Sequence, residues 1–187
     1  MKKICYLALM LMFAACRSTQ PTPPTQEEVV ELIAAIPDHE FVSNTKEAYT
    51  SEYYTQLSRA WAVPSDAIGE IGTDEWLYYF ISGNGGCEDF RIENINILTH
   101  HRRSTVRFVV FECGSSNNHT MELKYDKMAW RIADYDNTLR QLKEYLHEQR
   151  KYFKSAEWQA YLNAAKSDPL TANMANEREE EVHKWLK

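Results

Sequence analysis

Residues 87–136 carry four strand-length runs, EDFRIENINIL, TVRFVVFEC, TMELKY and MAWRIADY, split by short polar turns. Strand-length runs joined so closely read as an antiparallel meander. In the first run Phe90 and Ile92 share one parity, whereas Ile95 and Ile97 have the other. A strand that keeps all four on one core must absorb an extra residue, so a bulge is expected near Glu93 and Asn94. In the second run both parities are apolar, with Val106, Phe108 and Val110 set against Val109 and Phe111. That pattern predicts a central strand covered on both faces. Residues 99–103, 114–118 and 126–127 supply the turns, and Trp130 and Ile132 continue one face of the fourth strand.

Helical signals flank the meander. Thr25-Gln26-Glu27-Glu28 has the form of a capping box and opens a helix striped by Val29, Leu32, Ile33 and Ile36, which Pro37 ends. A second helix is expected over residues 50–62, with Tyr53, Tyr54, Leu57 and Trp61 as its apolar face. Residues 76–81 form a dense apolar run compatible with strand or helix, and Gly83-Asn84-Gly85-Gly86 is a turn. After Asn137 the spacing of Leu139, Leu142, Leu146 and Phe153 marks a helix, Ser155 caps another, and Asp168-Pro169 opens a third. The fold class is therefore α+β: N-terminal helices packed on a curved four-stranded antiparallel meander, with a C-terminal helical extension. The expected segments are 1–15, 16–26, 27–136 and 137–187.

Segment 1–15 is a leader. Lys2 and Lys3 precede an apolar stretch of about twelve residues, too short to cross the ~30 Å of bilayer hydrocarbon as a helix. It ends Phe13-Ala14-Ala15-Cys16, which resembles the lipobox of bacterial lipoproteins. The resemblance implies that the chain is cut before Cys16 and that Cys16 carries diacylglycerol and palmitate-type acyl chains. It also implies a lipid anchor in a bacterial cell envelope. At ~0.8 kcal/mol per buried CH₂, several chains hold a protein durably. Arg17 follows, without the Asp of an inner-membrane retention signal and without an acidic export tract, which points to the periplasmic face of the outer membrane. Residues 17–26, RSTQPTPPTQ, read as a Pro-rich tether.

The chain has a formal net charge of −6, which becomes about −8 once Lys2 and Lys3 are removed. An acidic chain repels phosphate backbones, so no nucleic-acid partner is expected. With Cys5 cleaved away and Cys16 acylated, Cys87 and Cys113 remain as a pair in an oxidising compartment. A first hairpin turning about His100-His101, with one bulged residue, sets Cys113 opposite Cys87. A bridge there is worth roughly 3 kcal/mol. Thiol titration of the denatured, unreduced mature protein is expected to find neither cysteine free.

The order helix, helix, curled sheet, together with YTSEYYTQL, CEDFRIENINI and the closing WRIADYD, resembles the bacterial lipoprotein family termed domain of unknown function 3828. That family has a nuclear-transport-factor-two-like, or cystatin-like, fold. The resemblance spans residues 29–136 and implies fold and address but no catalytic residues.

The sequence carries no complete catalytic or metal signature. His100 and His101 are adjacent, and adjacent side chains are expected to diverge, which makes a poor chelate. His147-Glu148 begins like the zinc helix H-E-x-x-H, but Lys151 occupies the second histidine's place. The glycine turn lacks the Lys and Ser/Thr of a phosphate loop, and there is no G-x-S-x-G elbow. No metal or other cofactor is expected. A cone between helices and sheet would be lined by Tyr53, Tyr54, Tyr78, Arg107 and Arg131. The expected function is a lipid-anchored periplasmic binding domain for an unidentified protein or small molecule, without catalysis. The alternatives are a hydrolase or isomerase using that cone, and an inhibitor of the immunity-protein type.

Overall fold

The computed structural model describes residues 20–34, 46–68, 91–112 and 114–187. Helices α1 (Gln26–Ala34) and α2 (Ser51–Trp61) precede strands β1 (Arg91–His100), β2 (Arg103–Glu112), β3 (Ser115–Asp126) and β4 (Ala129–Tyr135). Helices α3 (Thr138–Tyr152), α4 (Ala156–Ser167) and α5 (Ala172–Leu186) follow. The strands pair antiparallel in chain order, β1-β2-β3-β4, so the chain adopts the α+β meander with helices before and after it. The leader with Cys16, the 76–81 run, the glycine turn, Tyr78, Cys87 and Cys113 lie outside the described residues.

Local chemistry sets the helix starts. In α1 the Glu28 N–H donates to Thr25 Oγ1 at 3.1 Å and the Thr25 N–H donates to Glu28 Oε2 at 2.8 Å, the reciprocal capping box. Thr50 caps α2 by accepting from the Tyr53 N–H. The buried face of α2 is Tyr53, Leu57 and Ala60; Trp61 is 37 % exposed, contrary to its expected place in the core. At 3.6 residues per turn, Ala60 lies closer than Trp61 to the Tyr53–Leu57 line.

The expected bulge is present. Glu93 faces Val109 and Asn96 faces Arg107, so Asn94 and Ile95 together oppose Phe108. Asn94 takes φ 54°, a left-handed conformation that asparagine tolerates, and the bulge returns Ile95 and Ile97 to the core that Ile92 packs against. A second bulge lies between β3 and β4, where Glu122 faces Asp134 but Leu123 faces Ile132. It skips Ala133 and brings Tyr135 to the buried face of Trp130 and Ile132. The first hairpin turns one residue later than assumed, with His100 opposite Arg103. At the other end of the described pairing Arg91 faces Phe111.

Strand β2 is covered on one face rather than both among the described residues. Val106, Phe108 and Val110 are buried, whereas Arg107 is exposed and Val109 and Phe111 are half-buried. The Arg91 guanidinium lies 3.6 Å from the centroid of the Phe111 ring and shields it, so an apolar outer position does not need a second layer.

Helix α3 belongs to the main core rather than to an appendage. Leu142 and Leu146 are buried with the sheet residues, and the Tyr53 hydroxyl lies 2.5 Å from Thr138 Oγ1. Asn137, in the left-handed region, makes no side-chain cap; Asp134 Oδ1 accepts the Tyr135 and Leu139 N–H groups at 2.8 and 3.0 Å instead. A chain ending at Asp136 would strip these residues from the core. Ser155 caps α4 as expected, through the Trp158 N–H. Asp168 does not cap α5: its carboxylate accepts the Leu170 N–H in a turn, and the helix begins at Ala172. Phe153, Trp158, Leu162, Ala175 and Val182 form a second cluster, against which Val63 and Trp185 also pack.

Lys143 Nζ on α3 donates to Glu52 Oε1 on α2 at 2.6 Å. That hydrogen bond, and then the lysine charge, hold the Glu52 carboxyl below its ordinary value of 4.5. A carboxyl with a depressed folded pKa contributes stability above its unfolded pKa and loses it as pH falls through the folded value. Lys143→Met is therefore expected to cost at most about 1 kcal/mol at neutral pH, since the pair is exposed. The difference from wild type should fade below pH ~4.5 in denaturant titrations at a series of pH values.

Candidate functional site

The groove with the clearest chemistry lies outside the core, along the outer edge of β4. A 3₁₀ turn, Lys46–Ala48, leads into α2, and the Thr50 N–H donates to the Ile132 carbonyl at 2.8 Å, so this segment runs beside β4 and covers its edge. Arg131 holds the arrangement. Its guanidinium donates to the Glu47 carbonyl and, at 3.2 Å, to Glu47 Oε2, while Nε donates to the Asp126 carbonyl at 3.4 Å. The space bounded by this turn, the outward face of α2 and the β3–β4 turn measures about 380 Å³. That is the lower part of the range that small-molecule sites occupy.

The helix supplies its lining at helical spacing: Ser51, Tyr54, Thr55, Ser58 and Arg59 face the groove, opposite the buried Tyr53, Leu57 and Ala60. Lys46, Asp126, Lys127 and Arg131 complete it. Four cations face two carboxylates, and Glu47 is already paired with Arg131, so the groove is positive on an acidic chain. Lys46 Nζ lies 5.7 Å from the Tyr54 ring centroid. Ser58 Oγ is buried and has no hydrogen-bond partner among the described residues. An unmatched buried hydroxyl costs stability. Ser58→Ala is therefore expected to leave folding stability unchanged within about 0.5 kcal/mol, or to raise it, in a denaturant titration.

The residues expected to line a cone fall in different places. Tyr54 and Arg131 line the groove. Tyr53 is fully buried and its phenol is pushed well above the ordinary value, first by burial, so it acts as packing and as a partner of Thr138. Arg107 points from the opposite face of the sheet and is exposed, because it alternates with the buried Val106 and Phe108. Among the described residues the space beneath the sheet is filled by Tyr53, Leu57, Phe108, Met121, Leu123 and Tyr135. Lys46, Ser58, Arg59 and Lys127 were not singled out by the sequence. The polar stripe at 51, 54, 55, 58 and 59 was the signal available for the helix.

A second polar cluster closes β4. His119 Nδ1 lies 2.7 Å from Asp136 Oδ2 and 2.6 Å from the Tyr135 hydroxyl, and Asp136 Oδ1 accepts the Thr120 N–H at 2.6 Å. A single ring N–H shared by the carboxylate and the phenol fits this geometry. His119 Nε2 is buried without a partner among the described residues, and the ring packs between Phe108 and Tyr135. Burial, and then the Asp136 charge, keep the Tyr135 phenol protonated. The cluster fastens the sheet to the start of α3. Among the described residues no group of three His, Cys, Asp or Glu side chains is arranged to hold a metal, and no helix is long and apolar enough to cross a membrane.

Comparison of the chain with protein-family models, curated proteins and solved structures finds no match to any of the three.

Proposed function

We propose that this chain is a lipid-anchored protein of a bacterial cell envelope, held through Cys16 at the periplasmic face of the outer membrane. Its α+β domain binds a small anionic ligand in the groove between α2 and β4. The observation that carries the binding reading is the contrast between two spaces: the interior is filled with apolar and aromatic side chains, whereas the outer groove gathers hydroxyls and cations. A binding module needs such a fixed, pre-formed polar surface and no reactive group. The helix, helix, curved-sheet order and the WRIADYD strand support kinship with the lipoprotein family termed domain of unknown function 3828. Asp134 and Asp136 of that strand both accept backbone N–H groups, which supports a structural role for them.

Two measurements test the proposal. Acyl chains on the N-terminal peptide of membrane-extracted protein, and their loss with membrane association in Cys16→Ser, are expected; an unmodified N-terminal peptide would refute the anchor. For the groove, thermal melting in inorganic phosphate, a hexose phosphate and the neutral hexose is expected to show stabilisation by the anions alone. At a hundred times Kd, binding adds about 2.7 kcal/mol. Equal melting temperatures in all of them would refute the anionic ligand.

A further inference from the structure

The turns at one end of the sheet gather basic side chains. The β1–β2 and β3–β4 turns lie at the same end, as shown by Arg103 opposite Lys124 and by the Tyr125 N–H donating to the Arg102 carbonyl at 2.9 Å. Across the outer face at this end runs one row through all four strands: His100 opposite Arg103, Arg103 opposite Lys124, and Lys124 opposite Arg131. Like charges directly opposite one another destabilise a sheet. Arg131 is paired with Glu47, but Arg103 and Lys124 make no ion pair among the described residues. Lys127 lies in the second turn, Arg102 in the first donates twice to the Tyr125 carbonyl, at 3.2 and 3.1 Å, and Asp126 is the single carboxylate in residues 98–104 and 124–131.

The apolar residues at this end are equally unexplained by folding. Leu98 is 72 % exposed and Met128, at the tip of the second turn, is 88 % exposed. Lys127 and Met128 both take positive φ, 49° and 65°, in a two-residue hairpin where Asn-Gly is preferred. An unpacked methionine in a conformation that favours glycine gives the fold nothing. Residues that break local rules without structural return mark function.

The N-terminal segment fixes what this end faces. The described part of the expected tether does not hang free. Pro24 is buried, the Trp130 Nε1–H donates to the Thr22 carbonyl at 2.9 Å, and Gln20 Nε2 lies 3.1 Å from His101 Nδ1 in the β1–β2 turn. Three residues lie between Cys16 and Gln20, and the four steps that join them span no more than about 14 Å. We infer that the two turns form a membrane-docking face. The basic row takes anionic phospholipid headgroups of the bilayer that holds Cys16, and Met128 and Leu98 enter the headgroup layer. The inference rests on the proposed acylation of Cys16.

The test is hydrogen exchange of the acylated full-length mature protein in phosphatidylcholine vesicles with and without phosphatidylglycerol. Exchange in residues 98–104 and 124–131 is expected to slow in the anionic vesicles, and added salt should reverse the effect. Arg103→Gln with Lys124→Gln should weaken the protection about fivefold per charge removed. Because it relieves like-charge repulsion, that variant should remain folded, and Met128→Gly, which suits the turn, is a second variant expected to weaken it. Equal exchange in both vesicles, with acylation confirmed by mass, overturns the docking face and leaves the anchor intact. Absence of the acyl mass overturns both. Protection of the turns in both vesicles alike, unmoved by salt, also overturns the inference, because the basic row then recognises no anionic headgroup.

Discussion

Replacing Phe108 by alanine is expected to lower stability by about 3–5 kcal/mol, a large part of the 5–15 kcal/mol that holds most domains together. Phe108 is 2 % exposed, and it is the residue that the β1 bulge, Asn94 and Ile95, faces across the sheet. Its ring centroid lies 5.6 Å from that of His119 and 6.3 Å from that of Tyr135, so it packs against the cluster that fastens β4 to α3. Truncation leaves a cavity whose walls belong to strands with little freedom to collapse. A guanidinium titration should show a lower midpoint with an unchanged slope. Val109→Ala is the control, because its side chain lies on the half-buried outer face. It should cost about 1 kcal/mol. Equal losses at 108 and 109 would mean that β2 is covered on both faces after all.

Trp158→Ala is expected to be as damaging, about 3–5 kcal/mol, although it lies far along the chain from the sheet. Trp158 is 1 % exposed, and its ring lies 5.0 Å from Phe153, 5.8 Å from Tyr152 and 5.7 Å from Tyr161, centroid to centroid. Among the described residues, hydrogen bonds tie the cluster it centres to the chain at and after the end of α2. The Trp185 Nε1–H donates to the Arg59 carbonyl at 3.0 Å, Arg178 donates to the Ser65 carbonyl at 3.0 Å, and Tyr161 accepts the Ile68 N–H at 3.1 Å. Two of these hold the chain just after α2, and the first grips Arg59, whose side chain lines the groove. Loss of the α4–α5 cluster should therefore reach the sheet, and circular dichroism and tryptophan fluorescence should report one shared transition. Two separated transitions would show that α4 and α5 are an independent unit.

The sheet was the most legible part of the chain because a strand has a strict period of two. The switch of parity between Ile92 and Ile95 locates a bulge, and the structure has it there. The same reasoning applies to Ile132 and Tyr135, whose parities also differ, and it marks the second bulge. The outer face of β2 was misjudged because Val109 and Phe111 look like core residues in sequence. Their shield is Arg91, on a neighbouring strand and invisible to a pattern read along one segment. Helix starts were legible where a side chain meets its own backbone, as at Thr25, Thr50 and Ser155. The start of α5 was missed because an aspartate before a proline serves a turn as readily as a cap. The groove was legible only in part. The polar stripe of α2 is written in the sequence, but Lys46, Lys127 and Arg131 reach it from other segments through tertiary pairing.

The groove as a site for a small anion is the claim on which the functional account turns. It is tested most directly by titrating inorganic phosphate into the mature protein and into Arg59→Gln with Lys127→Gln, following the melting temperature of each. Both residues line the groove, and neither makes a side-chain ion pair among the described residues, so their neutralisation should leave the ligand-free protein folded. The account predicts that phosphate raises the wild-type melting temperature in a saturable way and leaves that of the double variant unmoved. The same rise in both proteins would contradict it.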